Sequence, residues 1–372
     1  MKKIFLFLIL GSLLITGCSI RKKDASEEFS KKIEKASSYY VEGSMDIINN
    51  EDTYTYDVKV SYQKDNNYRV ELTNISNNHK QVILRNSDGV YVVTPSLNKS
   101  FKFQSDWPHN NSQVYLLGSL VEDLNNDENK KVEETKDGYT LTSVVNYPNN
   151  KKLVKQKIML DKNYDVKEVN VLDDSDNVQI KMVFNKIDLK SEFDDSYFKL
   201  SELIKEDTRE ENTNENTNTN ENTNNNENTG TNETKDDKEQ TDNSENKNTE
   251  NKSKTESTAT IDDIIYPMYL PTNTFLEGQE KINTDDGQRL ILTFSGDSPF
   301  TLIEETVSYE EEHVIIPTFG ELTHLSDTVG IVNDNSVNWF SNGVEYFVVS
   351  EKMSTDELLE VARSISVLPV SK

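Results

Sequence analysis

Hydrophobic residues in this chain follow three regimes. An apolar stretch from Ile4 to Ile15 stands behind Lys2 and Lys3, too short and too N-terminal for a spanning helix and of the form of a signal peptide. Residues 24–204 and 259–372 then show mostly the alternation of half-buried strands, broken by a few segments of helical period. Between them, from Lys205 to Thr258, no residue is hydrophobic. That stretch, built from units such as Glu215-Asn216-Thr217-Asn218, has no apolar surface to offset the entropy of ordering. It is expected to be a disordered linker, with acidic residues frequent enough to oppose prion-like association.

The first folded region opens with a predicted helix over Ala25–Ser38, where Phe29, Ile33 and Ala36 recur at helical spacing. Tyr54, Tyr56, Val58, Val60 and Tyr62 then share one face of a strand, with Thr55, Asp57, Lys59 and Ser61 on the other. Further strands are expected around Tyr68–Leu72, Val82–Leu84, Val90–Val93, Phe101–Phe103, Tyr139–Val145, Val154–Leu160, Val166–Leu172 and Val178–Phe184. Turn residues separate them, such as Asn86-Ser87-Asp88-Gly89 and Asp173-Asp174-Ser175-Asp176-Asn177. About ten short strands joined by tight turns argue for a large antiparallel meander, curled or partly closed. One helix interrupts it, predicted over Asn111–Leu124, with Val114, Leu117, Val121 and Leu124 as its stripe and Asn110, Asn111 or Ser112 as cap. A helix this apolar is suited to cover the inner face of a curved sheet.

The last region reads as a compact α+β unit. Strands are expected over Arg289–Phe294, Thr301–Val307, Thr328–Val332, Ser336–Phe340 and Val344–Val349. A closing helix over Thr355–Ser364 takes Ser354 or Thr355 as cap and turns Leu358, Leu359, Val361 and Ala362 inward.

A net charge of −26 argues against nucleic acid and against a basic membrane patch, leaving only Arg21, Lys22 and Lys23 to favour anionic headgroups. Chemistry is sparse. His79, His109, His313 and His324 share no metal-ligand spacing and read as surface or structural side chains. No nucleophile elbow, P-loop or dinucleotide fingerprint occurs, and nothing singles out a catalytic pair among the many carboxylates. Asp173, Asp174 and Asp176 lack the closing Glu of a calcium loop and read as a hairpin turn. No catalytic residue, metal or cofactor is expected. Trp107 has two readings, an anchor for the loop ahead of the lid helix or an aromatic rim at a cavity mouth. Tyr54, Tyr56 and Tyr62 are core or cavity lining.

The single cysteine, Cys18, follows Leu13-Leu14-Ile15-Thr16-Gly17, a run that resembles a bacterial lipobox. The resemblance implies diacylglycerol on the Cys18 sulfur and cleavage before it, giving a signal peptide (1–17) and a lipid-anchored start (18–23). An ordinary signal peptide with a stray cysteine, or a short anchor, are the alternatives. A second resemblance rests on Tyr68-Arg69-Val70-Glu71, on Asp88-Gly89-Val90-Tyr91-Val92 and on Thr94 to Pro108, which runs TPSLNKSFKFQSDWP. These are similar to the LolA-like superfamily, in the lipoprotein-sorting and sporulation or germination branch of spore-forming Gram-positive bacteria. It implies an incomplete antiparallel β-barrel over 24–204, an apolar cavity and a helical lid, with Tyr54, Tyr56, Tyr62, Trp107, Val114, Leu117 and Val121 as cavity or lid residues. After the linker (205–258), residues 259–372 resemble a small domain of uncharacterised function that follows such modules.

The function implied is non-enzymatic binding at the extracytoplasmic face of the cell membrane, in sporulation or germination. Its partner is a cell-wall enzyme or other envelope protein, or its ligand is a lipid or acyl chain. An envelope-stress sensor acting on an anti-sigma factor, and a carrier of lipoproteins or lipids, are the alternatives. Cys18→Ala is expected to release the protein from membranes, as membrane-fraction blots would report.

Overall fold

The computed structural model describes residues 24–49, 52–109, 111–205, 260–261, 263–285 and 287–365. The expected signal peptide, Cys18 and all of the expected linker except Lys205 lie outside the described residues. No helix among the described residues is long and apolar enough to cross a membrane.

The chain begins with helix α1 (Ala25–Glu34), capped by Asp24, whose side chain accepts from the Ser26 N–H. A meander follows: β1 (Ser38–Asn49), β2 (Asp52–Gln63), β3 (Asn67–Asn74), β4 (Lys80–Asn86), β5 (Gly89–Thr94) and β6 (Lys99–Phe103). Helix α2 (Leu117–Asn126) separates it from a second meander of β7 (Lys131–Glu134), β8 (Gly138–Val144), β9 (Lys155–Asp161), β10 (Val166–Leu172) and β11 (Val178–Asp188). Strand β1 pairs with both β2 and β11, which fuses the two meanders into one sheet. At the β1–β11 pairing the register shifts between Glu42 and Gly43. A Cβ at Gly43 would stand 2.3 Å from the Val183 carbonyl oxygen, so the close approach at this bulge requires glycine. The sheet's two edge strands do not meet, and the result is an incomplete antiparallel barrel with helices on its inner face.

Local sequence explains which faces are buried. The Tyr54–Tyr62 alternation puts Tyr56, Val58 and Val60 in the core and packs Tyr54 and Tyr62 against it. Phe29 and Ile33 of α1, and Leu117, Leu120, Val121 and Leu124 of α2, join the same cluster. Strands β4 and β5 are apolar without alternation because both their faces are covered. Ile83, Val90 and Val92 face inward, whereas Val82, Leu84, Tyr91 and Val93 meet Phe198 and Leu203 on the outer side.

Both predicted helices in this region come out shorter. Helix α1 stops at Glu34 because Tyr39, Val41, Met45 and Ile47 alternate inward along β1. Helix α2 starts at Leu117, so Val114 sits in the preceding turn and Asn111 and Ser112 are not its caps; Asn110 lies outside the described residues. Their polar neighbourhood is engaged elsewhere: the Ser112 hydroxyl donates to Asp123 (2.8 Å), and the Ser112 N–H donates to the Asn146 carbonyl (2.7 Å).

The second sheet comprises β12 (Thr274–Asn283), β13 (Gln288–Gly296), β14 (Phe300–Thr306), β16 (Glu321–His324), β17 (Val329–Asn333), β18 (Ser336–Ser341) and β19 (Val344–Val349). Helix α3 (Thr355–Ser364) closes one face, and its Ser354–Glu357 capping box and inward Leu358, Leu359, Val361 and Ala362 follow the sequence pattern. Strand β15 (Val314–Thr318) departs from this sheet. It pairs in parallel with β6 and becomes the twelfth strand of the first sheet. Lys99 pairs with Glu310 (3.0 Å), and the Asn98 amide donates to the Glu310 carbonyl (2.8 Å), fastening the chain that leads into it. The outer surface of β16–β18 then lies on the first sheet's inner face, where Phe340 stacks on Phe101 at 5.3 Å.

Candidate functional site

The seam between the sheets positions an unfilled space. Close to α1 and α2 the inner face is packed solid: Val114, Leu117 and Val121 are core residues, with Leu117 0% exposed. Tyr62 lies between Tyr39 (4.7 Å) and Tyr68 (4.9 Å), and Trp107 meets Tyr68 edge-on at 5.8 Å. Arg85 donates to the Trp107 carbonyl, which ties this loop to β4. Tyr56 is buried, and its hydroxyl donates to the Ser326 carbonyl across the seam (3.1 Å).

Further along the seam a cavity of about 240 Å³ remains. Ile47, Ile83, Ile180 and Trp107 wall it from the first sheet, and Tyr147, Asn149 and Leu153 from the β8–β9 connection. The second region contributes Leu322, His324, Leu325, Val329 and Arg363. Of the residues read from sequence as cavity or lid positions, Trp107 lines this space; Tyr54, Tyr56, Tyr62, Val114, Leu117 and Val121 do not.

Polar residues share its lining throughout, and several are fixed by hydrogen bonds to one another or to backbone. The Tyr115 hydroxyl and His324 Nε2 are 3.1 Å apart, with the rings edge-on. Burial, with the Arg363 charge adding, pushes His324 down to about 4, so the imidazole that shares this hydrogen bond with Tyr115 is neutral at pH 7. Burial also raises the Tyr115 and Tyr147 hydroxyls well above their ordinary range. Arg363, at the end of α3, donates from Nη2 to the Asn149 carbonyl (2.9 Å). Its nearest acid, Glu360, is 3.8 Å away and makes a closer pair with Lys152 at 2.7 Å. Burial lowers the Arg363 pKa, yet the guanidinium stays charged, with the Asn149 carbonyl and the Glu360 carboxylate beside it. The Asn149 side-chain amide nitrogen is buried without a hydrogen-bond partner. Behind the wall, Asp123 accepts from Ser112 and Gln156 (3.0 Å), and burial pushes it up to about 7.

Sequence alone missed Ile83, Ile180, Asn149, His324 and Arg363 as a group, because they come from distant segments. The one local signal was a cation in the last turn of α3, ordinarily a partner of the helix dipole.

A family model described as sporulation protein YdcC-like matches residues 1–198. The sporulation protein YdcC of Bacillus subtilis (strain 168) is 30% identical over 372 residues, with 98% of this chain and 97% of that protein covered. Among solved structures, the Pseudomonas aeruginosa MucA/MucB complex matches at 10% identity and a TM-score of 0.29, covering 91% of this chain and 97% of that one. A LolA superfamily protein from Nitrosomonas europaea matches at 12% identity and a TM-score of 0.29, over 48% of this chain and 99% of the other.

Proposed function

This chain belongs to the sporulation protein YdcC-like family, and on that premise we propose that it is a non-enzymatic, sporulation-associated envelope lipoprotein that acts by binding. Cys18 carries its diacylglycerol and holds it at the extracytoplasmic face of the membrane, where two lipid chains give durable anchoring. The observation that carries the binding reading is the cavity of about 240 Å³ walled by both sheets, where Ile47, Ile83, Ile180, Leu153 and Leu322 form an apolar part among polar residues. An enclosed space with an apolar part and fixed polar groups suits an amphipathic ligand with an acyl chain. Native mass spectrometry of the protein purified from membranes, followed by solvent extraction, tests this. A stoichiometric adduct of a small molecule with an acyl chain is expected, and a chain at its bare mass that also takes up no added alkyl probe contradicts it.

A second reading is docking of a cell-wall enzyme or other envelope protein. It is favoured by exposed Met268 (86%) and by exposed Phe275 (59%) on β12, whose outer side pairs with no strand among the described residues, a template for an added strand. Replacing both by Lys is expected to lower spore yield at unchanged Tm; an unchanged yield sets that docking surface aside.

A further inference from the structure

We infer that the inner rim of the first sheet is a socket that reads a polypeptide turn, and that its resident ligand is the chain's own turn between β16 and β17. The socket takes one side chain from each of four consecutive strands. Asn49 ends β1, Tyr56 lies on β2, Asn74 ends β3 and Gln81 lies on β4. Tyr56 pairs with Asn74, and Gln81 pairs with the inward Leu72, so these side chains share the inner face. The turn they meet spans residues 325–328 and is closed by the Leu325 N–H donating to the Thr328 carbonyl (2.9 Å). Asn49 donates to the Ser326 hydroxyl (2.9 Å), Tyr56 to the Ser326 carbonyl (3.1 Å) and Asn74 to the Asp327 carbonyl (3.2 Å). The Gln81 amide then pairs with Val329 as a neighbouring strand would. Its oxygen accepts from the Val329 N–H (2.8 Å) and its nitrogen donates to the Val329 carbonyl (3.4 Å). The same oxygen lies 3.0 Å from the Thr328 hydroxyl, which also faces the Phe340 carbonyl.

These contacts read main chain at three positions and a hydroxyl at two, the chemistry of a site for a turn that carries Ser and Thr. Tyr56, Asn74 and Gln81 are 1–3% exposed, so each bond left unmade strands a buried polar group. Beside the turn, Leu322, Ile331 and Phe340 enter one core with Val92 and Phe101. Docking of the turn therefore covers this part of the inner face, and another polypeptide reaching it must first displace the turn. The second region is a self-ligand of the first.

The test uses the chain from Ser19 onward, without lipid, with a protease site in the expected linker that is cut after folding. The two fragments are expected to stay together on size exclusion at micromolar concentration. Dilution, followed by the anisotropy of a dye on the second fragment, then gives their affinity. Gln81→Ala is expected to weaken it at least about tenfold. Thr328→Val alters the turn instead of the socket and is expected to weaken it by a smaller factor, which covers the case of Gln81→Ala failing to fold. Asn77→Ala removes an exposed contact with Asn342 (3.1 Å) at the same seam and is expected to change nothing. Separated fragments are expected to bind the apolar dye ANS more strongly than the associated pair. Wild-type fragments that part at micromolar concentration overturn the docking. Gln81→Ala, or Thr328→Val in its place, holding as tightly as Asn77→Ala overturns the socket. Separation without a gain in ANS binding overturns the covering of the inner face.

Discussion

The inner face of the first sheet ends in two ways. Under α1 and α2 it is filled: Phe29, Leu117, Leu120 and Leu124 are buried in one core with the inward residues of the sheet. Along the seam with the second sheet it is hollow, although Ile47, Ile83 and Ile180 are just as apolar. The difference lies in what covers each end. A helix stripe approaches a sheet closely, whereas the seam is spanned by a loop, a strand edge and the end of α3, propped by Asn49, Ser326 and Arg363. Asn49 donates to the Ser326 hydroxyl and the Arg363 carbonyl, both at 2.9 Å. A space held open by satisfied backbone bonds does not collapse when it is empty.

A change at the filled end should separate stability from binding. Leu117→Ala removes fully buried atoms and is expected to cost about 2–5 kcal/mol in chemical denaturation, while alkyl-probe binding stays intact. Comparable binding losses in that variant would move the site back under the lid. Phe340→Ala, on the seam, is expected to cost about 3–5 kcal/mol. Because Phe340 also holds the sheets together, it should weaken probe binding as well, and unchanged binding would detach the cavity from the seam.

A third test lies in the second sheet. Glu304 is fully buried, neither carboxylate oxygen meets a hydrogen-bond partner, and burial, only partly offset by the Ile265 backbone, pushes it up to about 7. Its folded pKa exceeds the ordinary carboxylate value, so the folded chain binds the extra proton. The associated stability is present at about pH 4 and is lost as pH rises through about 7. Glu304→Met is expected to stabilise the protein by roughly 1–3 kcal/mol at pH 8 and by less at pH 5, measured by urea melts. His324 runs the other way: with its pKa depressed to about 4, it loses stability as pH falls from about 6.5, so His324→Gln should flatten the acid limb. The smallest effect is at the rim, where Lys151→Ala breaks an exposed pair with Asp356 and should cost under about 1 kcal/mol.

Much of the filled end was legible before the structure. Strand β2 followed its alternation, β4 formed around the expected Val82–Leu84, and α3 took Ser354, one of its two expected caps. Strand β1 escaped because Gly43 falls on the inward row, interrupting the hydrophobic pattern where the bulge needs closeness. Strand β15 escaped because its partner, β6, is two hundred residues away and parallel pairing leaves no turn signal. The edge strand β12 is mostly exposed and presents no buried stripe. The hollow end was illegible for a related reason: its walls run from Ile47 to Arg363, and a cavity is a property of surfaces that meet, which no local period encodes.

The most direct test compares equilibrium binding of one alkyl-chain probe to the wild-type chain, to Leu117→Ala and to Ile180→Trp. The account predicts wild-type affinity in Leu117→Ala, and loss of binding with little change in Tm in Ile180→Trp, where the indole occupies the seam cavity. Binding that survives in Ile180→Trp but disappears in a still-folded Leu117→Ala would contradict it and return the ligand to the space beneath the lid helix.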